Sequence, residues 1–217
     1  MDKSGDDTSI LYGFGGGPNE NPIIGTAQSL QTYLTYRVDY KIAAQGVNMD
    51  ATASALPPSL WVRSMSIMAL ARNVKSPSFG PIATGPEPNN ENRWREMAAR
   101  VLTIVASGGH IDVLRPVRPL RPNLLTPLEV EFCSELAKGI VRNKMSREEI
   151  NKIVMDGLVP KYKPIYDKPP KERGPLLKGK AFEELYDLNT LKPSNEHLDS
   201  YHSARDELMK LGIKFEW

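Results

Sequence analysis

Across 217 residues, 40% are hydrophobic and 25% charged, and acids and bases nearly cancel to a net charge of +2. That balance suits an ordinary folded chain and offers no basic field for nucleic acid or an anionic membrane. The single cysteine, Cys133, excludes an internal disulfide and fits a reducing cytoplasm, and three histidines are poor material for a zinc site. No run of about 18 apolar residues predicts a membrane span. The opening "MDKSGDD" lacks the apolar core of a signal peptide.

In chain order, "SILYGF" (9–14) reads as a short buried strand ending in the glycines of "GFGGGPNENP". Asn21 as cap and Pro22 in the first turn then open a helix over "IIGTAQSLQTYL". "YKIAAQGV" (40–47) is a second strand, followed by a polar loop with Asn48 and Asp50. Pro57 and Pro58 introduce a helix over 59–71, and a weaker third strand is expected around 73–80. After the proline-rich loop "GPIATGPEPNNEN", an amphipathic helix over 93–106 sets Trp94, Met97, Val101, Leu102 and Val105 on one side. "HIDVL" (110–114) is a fourth strand, and "RPVRPLRPN" (115–123) is an extended, polyproline-like stretch, read first as a semi-rigid connector and second as an anion-binding arginine row.

Two capping boxes follow, Thr126 with Glu129 and Ser146 with Glu149, the second helix closing at Gly157. Residues 160–180, with five prolines, read as an irregular arm. A last helix over 194–211 turns Leu198, Tyr201, Leu208 and Leu211 inward and stops at Gly212. Residues 1–145 thus form four strand–helix units, and 146–217 a helical and extended tail. Such alternation implies a mostly parallel sheet flanked by helices, either a small doubly wound sheet or half of an eight-stranded (β/α) barrel.

The glycine stretch is no nucleotide fingerprint. Pro18 stands at the third glycine position, no Lys-Ser/Thr follows, and Glu20 would repel a phosphate at a helix start. A tight turn facing a ligand at a strand's carboxyl end fits better, with Glu20 at the mouth or simply favouring the next helix. Asp6 and Asp7 are mouth-facing acids or a solvated terminus. Asn48 and Asp50 occupy a strand-to-helix loop, where function and turn chemistry both favour them. His110 opens a strand at the quiet, amino end of a sheet, and Cys133 reads as an inert core thiol.

The carboxyl end, "GKAFEELYDLNTLKPSNEHLDSYHSARDELMKLGIKF" (179–215), resembles that of the monomethylamine:corrinoid methyltransferases of methanogenic archaea. The similarity runs upstream through "TPLEVEFCSELAKGIVRNKMSREEINKIVMDGLVPKY", "VASGG" and "GFGGGPNE", but covers only the downstream half of that family. The resemblance implies a TIM-barrel-like (β/α) architecture, here a half barrel of about four units plus the tail. It also implies methyl transfer from a methylated amine to a corrinoid (cobalamin) held by a separate corrinoid protein, with no cofactor bound directly. The family's pyrrolysine would lie upstream of Met1.

By the same resemblance, Asp6 falls at an active-site glutamate, with Asp7 beside it, and both are the expected catalytic acids. The family's glutamine and tyrosine fall near Ser78 and Phe79. Glu20, Asn48, Asp50, Ser78 and Phe79 are the expected substrate-binding groups, and loss of the amide and phenol points to a changed amine preference. Open sheet edges predict a homo-oligomer or a separate chain supplying the upstream half. A non-catalytic interaction subunit and a flavodoxin-like nucleotide domain are the rival expectations.

Overall fold

Residues 4–6, 10–13, 15–36, 40–42, 47–48, 54–74, 77–116 and 121–215 are described by the computed structural model. Strands β1 (Ser4–Asp6) and β2 (Ile10–Leu11) precede helix α1 (Asn21–Tyr36). Strands β3 (Tyr40–Ile42) and β4 (Val47–Asn48) precede α2 (Pro57–Asn73). Then come β5 (Ser78–Thr84), α3 (Glu91–Ala106), β6 (His110–Pro116) and α4 (Pro127–Arg142).

One sheet has the order β1-β3-β5-β6, and β2 pairs with β4 in a second, two-stranded sheet. Every pairing is parallel. Neighbours in the sheet are therefore neighbours in the sequence, and the reversal of order that makes a doubly wound sheet is missing among the described strands. Right-handed crossovers in one direction carry their helices to one face. Accordingly α1 packs on α2, α2 on α3 and α3 on α4.

The third strand lies later than the 73–80 expected, because "GPIAT" looks like a loop and is the strand. Gly80 pairs with Ile111 and Ile82 with Leu114, so β6 advances three residues where β5 advances two. Pro81, which has no N–H to donate, sits in that irregularity, where a ladder bond is not required.

The tail also departs from expectation. After α5 (Arg147–Lys152) the chain does not stop at Gly157 but continues through a π-helical turn (Ile153–Leu158) into α6 (Val159–Tyr166). Gly157 is there for space: a Cβ would lie 2.9 Å from a methyl of Leu211. The wide π turn precedes Pro160 and the first turn of α6, where a missing N–H does least harm. Instead of an irregular arm, 160–180 thus holds α6 and α7 (Pro170–Leu176), the latter led by its own proline.

A short α8 (Phe182–Leu185) and the long α9 (Asn195–Lys210) complete the chain. Tyr201 and Leu208 of α9 are buried as the spacing predicts, and Leu198 and Leu211 pack at the core margin. The core centres on α3. Trp94 meets Phe132 at 5.1 Å, His197 at 5.7 Å and Tyr201 at 6.1 Å between ring centres, and its Nε1 donates to Ser200 Oγ at 2.8 Å.

Candidate functional site

In parallel sheets the carboxyl ends of the strands form the ligand-facing mouth, because loops there are free of the helix layer. Here those ends are Thr84 and Pro116 of β5 and β6 and Leu11 and Asn48 of the β2–β4 pair, while β1 and β3 end at Asp6 and Ile42, level with Phe79. The turn after β2 bonds to itself: Tyr12 N–H donates to Gly16 O at 2.7 Å, Gly16 N–H to Gly13 O at 3.1 Å, and Asn21 N–H to Gly17 O at 3.0 Å. Glu20 folds its carboxylate over the turn, so that a Cβ on Gly17 would lie 3.0 Å from Oε2. These donors are committed within the turn and a negative charge covers it, which opposes phosphate binding.

The loop after β5, Gly85 to Pro88, is buried throughout. Three charged residues on α3 hold it and the strand before it. Arg93 donates to Pro86 O at 2.8 Å and Leu124 O at 3.0 Å, and forks onto both oxygens of Glu129. Glu96 accepts from Gly85 N–H at 3.0 Å and from the Tyr166 hydroxyl. Arg100 donates to Pro81 O and Ser54 O, joining β5 to the segment that leads into α2. All three side chains are completely buried. Burial pushes the Glu96 carboxyl up to about 7, against the pull of its hydrogen bonds and the two arginines. Burial also draws Arg100 down to about 10, with Glu96 opposing.

The tail closes over this loop from outside. Glu87 N–H donates to Leu177 O at 2.9 Å, Lys180 N–H to Pro88 O at 2.8 Å, and Asn90 Nδ2 to Leu176 O and Lys178 O. The Glu87 carboxylate accepts from Gly179 N–H at 3.1 Å and Arg121 at 2.8 Å. Between tail and strand ends lies a cleft of about 590 Å³, lined by Gly85, Glu87, Arg121, Pro175, Leu177 and Lys178. The hydroxyl of Thr84, at the end of β5, is buried and has no hydrogen-bond partner among the described residues. Among the described residues no cluster of His, Cys, Asp and Glu could hold a metal, and no helix is long and apolar enough to cross a membrane.

The expected site residues divide. Asn48 ends β4 level with Leu11, and Glu20 is exposed on the turn beyond β2, so both belong to the mouth side. Asp7 and Asp50 lie outside the described residues. Asp6 shares a row across the sheet with Ile42, Phe79 and His110. Ser78 and Phe79 therefore stand at the amino end of β5, a strand's length from Thr84, and are not gathered with Glu20 and Asn48. A Cβ on Gly80 would meet Ile104 of α3, so alternation turns Ser78 toward the helices and Phe79 away from them. Phe79 lies 5.3 Å from the His110 ring. The gapped match that suggested Ser78 and Phe79 could not fix the register of a strand containing Pro81.

Sequence reasoning missed the residues that hold the loop. Arg93, Glu96 and Arg100 recur at helical spacing beside the apolar stripe of α3, a pattern easily taken for its solvated edge. Arg121 sits in the Arg-Pro stretch that reads as a plain connector, yet it bridges Glu87 and Glu184.

The family model for Monomethylamine methyltransferase MtmB matches residues 5–213. The chain is 24% identical over 207 residues to Monomethylamine methyltransferase MtmB2 of Methanosarcina acetivorans, and 30% identical over 207 residues to MtmB1 of Methanosarcina barkeri (strain Fusaro). Each match covers 95% of this chain and 43% of the relative, so the chain spans less than half the length of the curated relatives it matches. The crystal structure of the Methanosarcina barkeri Monomethylamine Methyltransferase (MtmB) superposes with a TM-score of 0.81 at 24% identity, over 94% of this chain and 43% of that one. A crystal structure of the hydroxylamine MtmB complex matches equally. A family match along nearly the whole chain, with the same fold beneath it, means that this protein belongs to the monomethylamine methyltransferase family and corresponds to its carboxyl-terminal half.

Proposed function

We propose that this chain supplies half of a (β/α)₈ barrel enzyme that moves a methyl group from a methylated amine to a corrinoid carried by a separate protein. The observation that carries the reading is the strand order: parallel strands in unbroken chain order with their helices in one layer. Eight such units close a barrel with all strand ends around one mouth, and four supply half of it. The family match gives that mouth its chemistry.

The corrinoid supplies a reduced, nucleophilic cobalt that accepts the methyl carbon while the C–N bonding pair leaves with the amine. The protein's task is to hold the ammonium, aim its methyl group and keep the site dry, rather than to shuttle protons. Acids suit an ammonium, and Glu20, exposed beside the strand ends, is free to turn toward one; Asp7 and Asp50 are the further acids, whereas Asp6, level with Phe79, lies a strand's length from Thr84. Asn48 and the Thr84 hydroxyl are the neutral groups. Glu87 already accepts from Arg121 and Gly179, so it serves the loop instead. A rigid loop lowers the cost of fixing a small substrate, which is the work of the Arg93–Glu96–Arg100 set.

The test supplies the missing half. Cob(I)alamin absorbance is followed on addition of mono-, di- and trimethylamine, with this chain alone and with it fused behind the amino-terminal part of Methanosarcina barkeri MtmB. The lone chain is expected to be inert and the fused one to methylate cobalt with at least one amine. No methylation with any amine by a folded fusion would leave the second reading, a non-catalytic interaction subunit, which the bare edge of β6 also favours.

A further inference from the structure

The tail covers only part of the helix layer. α5, the π turn, α6 and α9 all pack on α3, and α3 exposes no large hydrophobic side chain. The outer side of α2 lies open beside them. Trp61 is 51% exposed there, and Met65 and Met68, half-buried, continue the row at helical spacing. Trp61 forms a ridge between two hollows and lines both. One, of about 470 Å³, lies toward α3 and the tail and is walled by Met68, Ile150 and Met155. The other, of about 530 Å³, lies toward α1 and is walled by Ile23, Ala27, Leu30 and Met65.

Charge is nearly absent from this face. Among the described residues Arg147 alone brings a charge to either hollow, and its Nε already donates to Ala106 O at 2.8 Å. Exposed tryptophan and methionine with so little charge mark the centre of a protein–protein interface, above all one between identical chains. Polypeptide that continued the helix layer could not cover it. α1 and α3 already flank α2, so an added helix would join beyond α1 or α4 and leave Trp61 outside. A charged partner would find nothing to pair with. A second copy brings the same uncharged surface, and that surface fits itself, a projecting ring beside a hollow. Its size is adequate as well. α1 and α2 have 16 and 17 residues, which makes each about 24 Å long. With the α5–π-turn row beside them, at about 10 Å per helix, they present about 700 Å². A standard interface uses about 800 Å² per copy.

We propose that the outer face of α1 and α2 is a two-fold interface between copies of this chain, in which Trp61 of each copy enters the hollow between α1 and α2 of the other. That hollow is the receiving one because no charged side chain lines it among the described residues. A patch that pairs with itself closes after two copies. Burial of the indole in a walled, water-free hollow makes Trp61 the anchor of the pair. The face is on the outside of the helix layer, so pairing leaves the strand ends open and is independent of the methyl-transfer reading.

Sedimentation of the whole chain across the micromolar range tests it, and a monomer–dimer equilibrium is expected. Trp61→Glu should weaken the dimer about thirtyfold or more. Ile23 is 72% exposed, so Ile23→Glu should weaken the dimer too while leaving the urea midpoint of the dilute monomer unmoved. It decides the matter should Trp61→Glu fail to fold. Val141→Glu, on α4 beside the edge of β6 and 62% exposed in the wild type, should leave the dimer intact. A chain that stays monomeric throughout, a dimer that survives Ile23→Glu, or a dimer that Val141→Glu dissolves would each overturn the interface. None of these measurements involves cobalt, so the interface and the methyl-transfer reading fail separately.

Discussion

The two flanks of α3 are built to different standards. Toward the tail, loop 85–88 and the strand before it are held by three buried charged side chains, by the Tyr166 hydroxyl on Glu96 and by backbone groups of 176–180. Toward the sheet edge, β6 and α4 stand apart and show valines to solvent. A chain finished on one flank and bare on the other has its stability concentrated where its own residues meet. The bare flank holds apolar surface, Val130 and Val141 among it, that adds little to the stability of the chain by itself. Substitutions can measure that contrast.

The largest effect should come from the finished flank. Arg93→Ala leaves the Glu129 side chain buried without its ion-pair partner and strips Pro86 O and Leu124 O of their donor. Breaking one partner of a buried pair costs about 3–5 kcal/mol, which urea unfolding of the whole chain would register. Replacing both partners, Arg93→Met with Glu129→Gln, should recover part of the loss, because Gln can still accept from Thr126 N–H. A single-variant cost under about 1 kcal/mol would mean the loop is held elsewhere and the contrast is false.

Next is Gly179→Ala. A Cβ at this position would lie 2.0 Å from Pro88 O and 2.8 Å from Glu87 O, both backbone atoms that cannot rotate aside. Overpacking of this kind costs about 1–3 kcal/mol. The strain should be relieved by lifting the 174–180 segment from the loop, so limited proteolysis there is expected to accelerate before global unfolding does. Unchanged cleavage would place the segment's hold in α7 and not at Gly179.

Much of this architecture was readable from local chemistry. The Ser146–Glu149 box, the prolines opening α2 and α4, and the inward face of α9 each follow from a few neighbouring residues. At Thr126 the local rule held only in half: Glu129 takes the Thr126 N–H, but the threonine hydroxyl lies 3.0 Å from His197 Nε2, 71 residues away. What failed depended on distant partners. Gly157 looks like a stop until Leu211 is beside it, Pro81 looks like a loop until the irregularity in β6 faces it, and the charges of α3 look solvated until the tail covers them. Glu20 and Asn48 were legible as residues at or just beyond strand ends, whatever they bind. Ser78 and Phe79 were not, because a one-dimensional match carries no information on which end of a strand a residue occupies.

A subtler difference within the finished flank is its response to pH. The folded carboxyl of Glu96 titrates at about 7 against an ordinary 4.5, so its contribution is whole below 4.5 and is lost as pH rises through 7. His197 is drawn by burial to about 4 from an ordinary 6.5, so its contribution is whole above 6.5 and is lost as pH falls through 4. Between 4.5 and 6.5 the two slopes oppose each other, and their combined effect should stay within about 1 kcal/mol. Single variants should separate them. Glu96→Gln is expected to leave a chain that loses stability on acidification from 6.5 toward 4, and His197→Asn one that loses it on raising pH from 4.5 toward 7. Parallel pH profiles for the two variants would show that neither group governs the window.

The smallest effect belongs to α1, at the end of the helix layer farthest from α4. Leu34, on α1, is 83% exposed, so Leu34→Lys removes little buried area, and lysine and leucine have similar helix propensities. In the lone chain the change should alter unfolding free energy by no more than about 0.5 kcal/mol in either direction. It should nonetheless raise the concentration at which the chain begins to associate, measured by light scattering, because it puts a charge on an apolar surface beside an open edge. A large loss of stability would show that Leu34 is already covered by this chain's own residues, and the flank would then be closed without any complement. No change in either quantity would remove Leu34 from the apolar surface through which copies of the chain associate.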